Sequence, residues 1–159
     1  MRELEAYPEP IMFDVGVTVL ALAETPVSEE AEQALYAGIS GEIDVAIPTS
    51  VAIGTEHMLS AVYGFSHDDA GYLVQNFLDA GYLSNPAGPS LEQTTESMQI
   101  SREHNLGGWD AYYAQTYQDI EAKTLFTTDG DFQRIQWVND EVILDDDQFE
   151  ELNEFINNL

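Results

Sequence analysis

Cysteine is absent from this chain, which excludes disulfides and thiolate zinc sites and says little about compartment. Basic residues are nearly absent too. Four Lys and Arg stand against thirty Asp and Glu, so 159 residues carry a formal net charge of −26. Long apolar runs are also missing. The longest, residues 15–23, falls far short of the roughly 20 residues needed to span a bilayer. The N-terminal MRELEAYPEP has early acids and two prolines, unlike a signal peptide. There is no catalytic-triad motif, no phosphate-cradling glycine loop and no basic patch. These absences lead to the expectation of a soluble, cytoplasmic protein with no membrane association.

What remains is a foldable chain. Its apolar fraction of 44% and aromatic fraction of 11% argue against the disorder that such lopsided charge would otherwise suggest. The acids are interspersed among apolar periodic segments, which describes an acidic coat over a packed core. One domain spanning residues 1–159 is expected from the length. The coat repels itself unless salt screens it, and the Debye length shrinks to about 3 Å at 1 M. A halophilic, high-salt cytoplasm is the expected setting.

Short apolar strands alternate with helices along the chain. Strands are expected at residues 11–13, 43–47, 124–127 and 142–144. Helices are expected from residue 17, from Ser28 as N-cap, after Thr49 or Ser50 as cap, from Ser66, from Ser90 to His104, from Asp110 and from Asp146. Residues 83–89 read as a turn-rich connection. Such alternation implies βαβ units: an α/β fold of three layers, α/β/α, around a mostly parallel central sheet. Ligands of these sheets bind outside the carboxyl ends of the strands, and several acids fall there.

Asp14 follows the first strand, where it can cap the next helix or serve as a ligand. Glu56 lies in an apolar helix among Ala52, Ile53, Leu59 and Ser60, either part-buried or reaching solvent from the helix edge. Asp110 shares a helical face with Tyr113, Ala114 and Tyr117, although a first-turn acid also suits the macrodipole. Asp129 and Asp131 flank Gly130 just beyond a strand, where Asp-Gly also makes a common tight turn. A calcium loop does not fit, because Arg134 stands where an EF-hand needs glycine. His57, His67 and His104 show no metal-ligand spacing, and Trp109, Tyr112, Tyr113 and Tyr117 suit either a core or base stacking.

In order, these residues lie within FDVGVTVLALA, IPTSVAIGTEHML, GGWDAYYAQTY and TLFTTDGDF, and the chain there resembles the PIN-domain family, which includes VapC-type toxin ribonucleases. The acidic coat looks like that of haloarchaeal members. The resemblance implies a PIN-like domain that hydrolyses RNA phosphodiester bonds with Mg²⁺ or Mn²⁺, a homodimer, and a small antitoxin protein as partner. It maps the family's acidic positions onto Asp14, Glu56, Asp110 and Asp131, with Asp129 as a neighbouring metal ligand; Thr127 and Thr128 would orient the acids. Many members carry a small polar residue two places after the first Asp, where this chain has Gly16 and Thr18 follows. Gly16 and the scarcity of basic residues favour an alternative, a PIN-like binding or assembly module with weak or no catalysis. A haloacid-dehalogenase-like phosphatase, suggested by DVGVT, is the lesser reading, because Gly16 replaces that motif's second Asp. The charge alone yields a prediction. The midpoint of thermal unfolding should rise between low and molar KCl, and a midpoint that does not move would refute a halophilic setting.

Overall fold

The computed structural model of the chain describes residues 4–81, 83–84 and 89–159. Its sheet begins with β1 (Ile11–Phe13), three apolar residues all fully buried. Helix α1 (Val15–Ala23) follows at once, then α2 (Glu29–Ser40), β2 (Val45–Pro48), α3 (Thr49–Ala61) and α4 (His67–Asp79). The second half holds β3 (Leu83–Ser84), α5 (Leu91–His104), α6 (Gly108–Asp119), β4 (Thr124–Thr127), a 3-10 turn (Gly130–Arg134), β5 (Asp140–Val142) and α7 (Asp146–Asn157).

The five strands are all parallel, in the order β3-β2-β1-β4-β5. The result is the three-layer α/β/α architecture with a parallel central sheet. Because β1 and β4 are neighbours and not consecutive, the winding direction reverses between them. That reversal opens a crevice at their carboxyl ends, the usual ligand position in open parallel sheets. Register fixes what lines it: Phe13 is opposite Phe126, so Asp14 and Thr127 follow one step on. Beneath them Phe13 and Phe126 stack with ring centroids 5.7 Å apart, and Tyr7 meets Phe126 edge-on at 4.9 Å. Such pairs contribute about 0.5–1.5 kcal/mol beyond area burial, and they give the site a rigid floor.

Several local expectations need correction. Residues 83–84 form an edge strand paired with β2 where a turn was expected; two residues carry too little pattern to be read, and residues 85–88 of that expected connection lie outside the described residues. The second strand starts at Val45, not 43. The last is Asp140–Val142 and not 142–144, because an edge strand tolerates the polar pair Asp140-Glu141 while Ile143 and Leu144 are buried just beyond it. Ser28 precedes α2 without capping it. Its hydroxyl donates to Leu20 O at 2.6 Å and accepts from Thr25 N–H at 2.8 Å, tying α1 to α2. Neither Thr49 nor Ser50 caps α3, since Pro48 holds the N-cap position and Ser50 turns inward. Ser66, Ser90 and Asp145 cap α4, α5 and α7, the last two as capping boxes with Gln93 and Gln148. No helix among the described residues is long and apolar enough to cross a membrane.

Candidate metal centre

Asp14 stands where β1 becomes α1, and its carboxylate is fully engaged. Oδ1 accepts from Val17 N–H at 3.1 Å, which caps α1, and Oδ2 accepts from the Thr127 hydroxyl at 2.5 Å. The cap and the site position are therefore held by one residue. Burial pushes Asp14 up to about 6; hydrogen bonds from Thr127 and from the Val17 and Gly16 backbone pull it back, and the charge of Asp110 adds to the rise.

Thr127 joins the two halves of the crevice. While donating to Asp14, its hydroxyl accepts from Asp129 N–H at 2.9 Å. Asp129 in turn caps the 3-10 turn by accepting from Asp131 N–H at 2.9 Å. Asp110, in the first turn of α6, folds back onto the Gly107 N–H, half of a capping box. Burial raises the Asp110 pKa first, and the charges of Asp129 and Asp131 raise it further. One carboxylate oxygen from each of Asp110, Asp129 and Asp131 lies within 4.8 Å of the others. Oxygen donors grouped in this way suit a hard divalent cation, and Mg²⁺ commonly takes only a few carboxylates and keeps several waters. The donor set therefore fits such an ion.

The remaining expected ligands are placed differently. Asp14 is outside that group of three, although its charge and that of Asp110 are felt mutually at the buried Tyr113. Glu56 is a partly exposed α3 residue whose carboxylate meets His67 Nδ1 at 2.9 Å; to join the aspartates it would have to leave that partner. The pair spans two helices, which spacing along the chain did not reveal. Arg134 is the basic group beside the cluster. It bonds Asp131 Oδ1 at 2.8 Å and the Asn105 carbonyl at 2.9 Å, so it offsets one of the three charges and pins the turn to the end of α5. Tyr112, Tyr113 and Tyr117 are core residues; Trp109, 59% exposed, is the one ring of the four open to a stacking partner.

Gly16 has a packing cause. A β-carbon there would overlap the Thr128 hydroxyl, with Thr128 Cβ 3.1 Å away. Thr128 thus brings a hydroxyl from the β4 side into the space that a side chain at position 16 would fill. Thr18 does not supply it, since its hydroxyl is buried and donates to the Asp14 carbonyl at 3.2 Å within α1. Beyond Asp129 the site opens into a groove of about 550 Å³ running towards Phe149, edged by Asp145 and Asp146. An anionic ligand entering there meets negative charge unless a cation precedes it.

No protein-family model matches the chain, and no curated protein matches it significantly.

Two predictions follow from this geometry. Asp14 binds its proton more tightly folded than unfolded, so its stabilising effect is complete below about 3.8 and is lost as pH rises through about 6. At neutral pH in metal-free protein the loss is on the order of 3 kcal/mol. Asp14→Asn keeps a good N-cap without the charge. In EDTA at fixed KCl it should melt above wild type at pH 7.5, with the advantage fading towards pH 4; equal melting temperatures at both pH values would refute the assignment. Gly16→Ser should cost about 1–3 kcal/mol by overpacking, and Thr128→Ala in the same chain should restore part of it, as read by denaturant unfolding.

Proposed function

We propose that this protein is a metal-dependent ribonuclease of the PIN type, hydrolysing RNA phosphodiester bonds with Mg²⁺ or Mn²⁺ held at the carboxyl edge of the sheet. The observation that carries the reading is the approach of Asp110, Asp129 and Asp131 to within 4.8 Å of one another where the strand order reverses. The sequence resemblance supports it independently, because it singles out Asp14 and Asp110 on local motifs. When bound, the cation would supply Lewis acidity towards the phosphodiester and the attacking water.

The chain's own residues have distinct parts in this reading. Asp110, Asp129 and Asp131 bind the ion, and Asp14 adds negative charge behind them while holding the start of α1. Thr127 keeps Asp14 and Asp129 in fixed relation through one hydroxyl. Exposed Trp109, next in sequence to Asp110, offers a face to an unpaired base, a contact worth roughly 1–3 kcal/mol in single-strand binding. A cytoplasmic homodimer with a small antitoxin as its inhibitor belongs to the same reading.

One observation favours a second reading. Arg134, the basic group beside the cluster, is already committed to Asp131 and Asn105, and RNA affinity ordinarily depends on basic residues. A PIN-like module that binds a cation and assembles with a partner without cutting RNA fits that commitment. Calorimetric titration with Mn²⁺ in molar KCl, paired with cleavage of a single-stranded RNA, separates the two. Ribonuclease function predicts Mn²⁺ binding and cleavage, with Asp110→Asn reducing cleavage at least 100-fold. Binding without cleavage supports the module, and cleavage unchanged in Asp110→Asn refutes the site.

A further inference from the structure

Helix α5 packs chiefly on α6, and the strip it turns outward differs from the rest of the surface. Leu91, Thr95, Met98 and Arg102 fall within about 60° of one another around the helix, at 3.6 residues per turn. All four are exposed, Leu91 at 85% and Met98 at 44%. The acids of α5, Glu92, Glu96 and Glu103, all lie on one flank of that strip. In a chain with thirty acids the strip has none, and it carries one of only four basic residues. Among the described residues nothing pairs with Arg102, whereas Arg134 is tied to Asp131 and Asn105.

On its other flank the strip borders a pocket of about 270 Å³ between α5 and α6. Pro89, Met98, Gly108, Trp109 and Tyr112 supply its walls, and no acid lines it. The hydroxyls of Thr94 and Ser97, also in its lining, donate to the Ser90 and Gln93 carbonyls at 2.8 and 2.7 Å, so both protons are already engaged within α5. Trp109 is the open face, its ring braced by Tyr112 edge-on at 6.1 Å and by stacked Tyr113 at 6.0 Å. Pockets for drug-sized ligands start near roughly 300 Å³, so this one suits a single flat ring system. A groove of about 660 Å³ shares Thr94 and Met98 with the pocket and reaches Arg102; its one acid, Glu103, accepts from the Gln99 amide at 2.7 Å. Met98 and Arg102 are one turn apart, a rise of about 6 Å. A flat ring joined at short range to an anionic group is the chemistry of a nucleotide. The strip also ends at the metal centre. Trp109 precedes Asp110, and Arg134 ties Asp131 to the carbonyl of Asn105, the residue that ends α5.

We propose that this corner is a subsite for single-stranded RNA, with one unpaired base seated against Trp109 in the α5–α6 pocket and a neighbouring phosphate on Arg102. Stacking accepts any base, because every base has a π-face. The bases of a duplex are stacked on one another and offer no free face to such a pocket, so the subsite selects unpaired strands. It also answers the charge problem locally: most of the surface repels a polyanion, and the acid-free strip with its arginine admits one. The inference deepens the ribonuclease reading above, from which it takes RNA as the ligand, and it assigns parts to Met98 and Arg102 that no acidic motif marks.

The test titrates fluorescein-labelled oligoadenylate in EDTA at a series of KCl concentrations, read by anisotropy, for wild type, Trp109→Ala and Arg102→Gln. Sedimentation velocity gives the oligomeric state of each. Trp109→Ala should weaken binding at least about 5-fold at every salt concentration, the lower end of one lost base stack. Arg102→Gln should flatten the dependence of log affinity on log salt by about 0.7, the share of one phosphate on a single strand. Should Trp109→Ala fail to fold, the salt slope of Arg102→Gln decides alone. Wild type that does not bind oligoadenylate overturns the inference, as do variants within two-fold of wild type with an unchanged slope. So does an oligomer that Trp109→Ala turns into monomers, which makes the strip a contact between copies of this chain. Cleavage of RNA in Mn²⁺ is followed separately. Binding that depends on Trp109 and Arg102 without cleavage supports the subsite while the ribonuclease reading fails; cleavage lost in Asp110→Asn but unchanged in both strip variants keeps that reading and removes the inference.

Discussion

Carboxylates brought together repel, and this chain gathers three of them within 4.8 Å in a molecule that already carries a net charge of −26. At that separation each charged pair costs on the order of 1 kcal/mol in a water-like medium and about 3 at an effective dielectric near 20. The structure meets this with backbone and side-chain donors. Gly107 N–H faces Asp110, Asp131 N–H faces Asp129, and the guanidinium of Arg134 faces Asp131. None of these removes the charge on Asp110, whose pKa stays raised. The arrangement is held in place by the fold, with its charge only partly offset.

The fold supplies that restraint by simple means. Parallel pairing of β1 with β4 puts Asp14 and Thr127 side by side, and the stacked Phe13 and Phe126 below them leave little room for the strand ends to part. One hydroxyl, that of Thr127, then serves both ends of the crevice. The α5–α6 corner is drawn in by Arg134, which links the acidic turn to the Asn105 carbonyl. The site is thus spread over four stretches of chain but mechanically joined.

Much of this was legible in the residues. Three consecutive apolar positions before Asp14, and TLFT before the acidic turn, announce buried parallel strands because both faces of such a sheet are covered. Asp14 was ambiguous between cap and ligand, and the structure shows why: its two oxygens divide the work, one for α1 and one for the crevice. Less visible was anything that depends on two helices meeting. The Glu56–His67 pair and the inward turn of Ser50 follow from tertiary approach. Gly16 looked like a deletion of function, whereas a side chain there would meet the Thr128 hydroxyl just beyond β4.

The double duty of Asp14 bears on how relatives of this chain should be compared. A residue that starts the central helix remains useful to folding after any chemistry is gone. An aspartate at this position in another sequence therefore testifies to the architecture before it testifies to activity. The more discriminating positions are Asp110, Asp129 and Asp131 taken together, whose charges crowd one another at one edge of the sheet. Replacing one of them by a neutral residue relieves that repulsion, so their joint retention in another sequence is the more telling comparison.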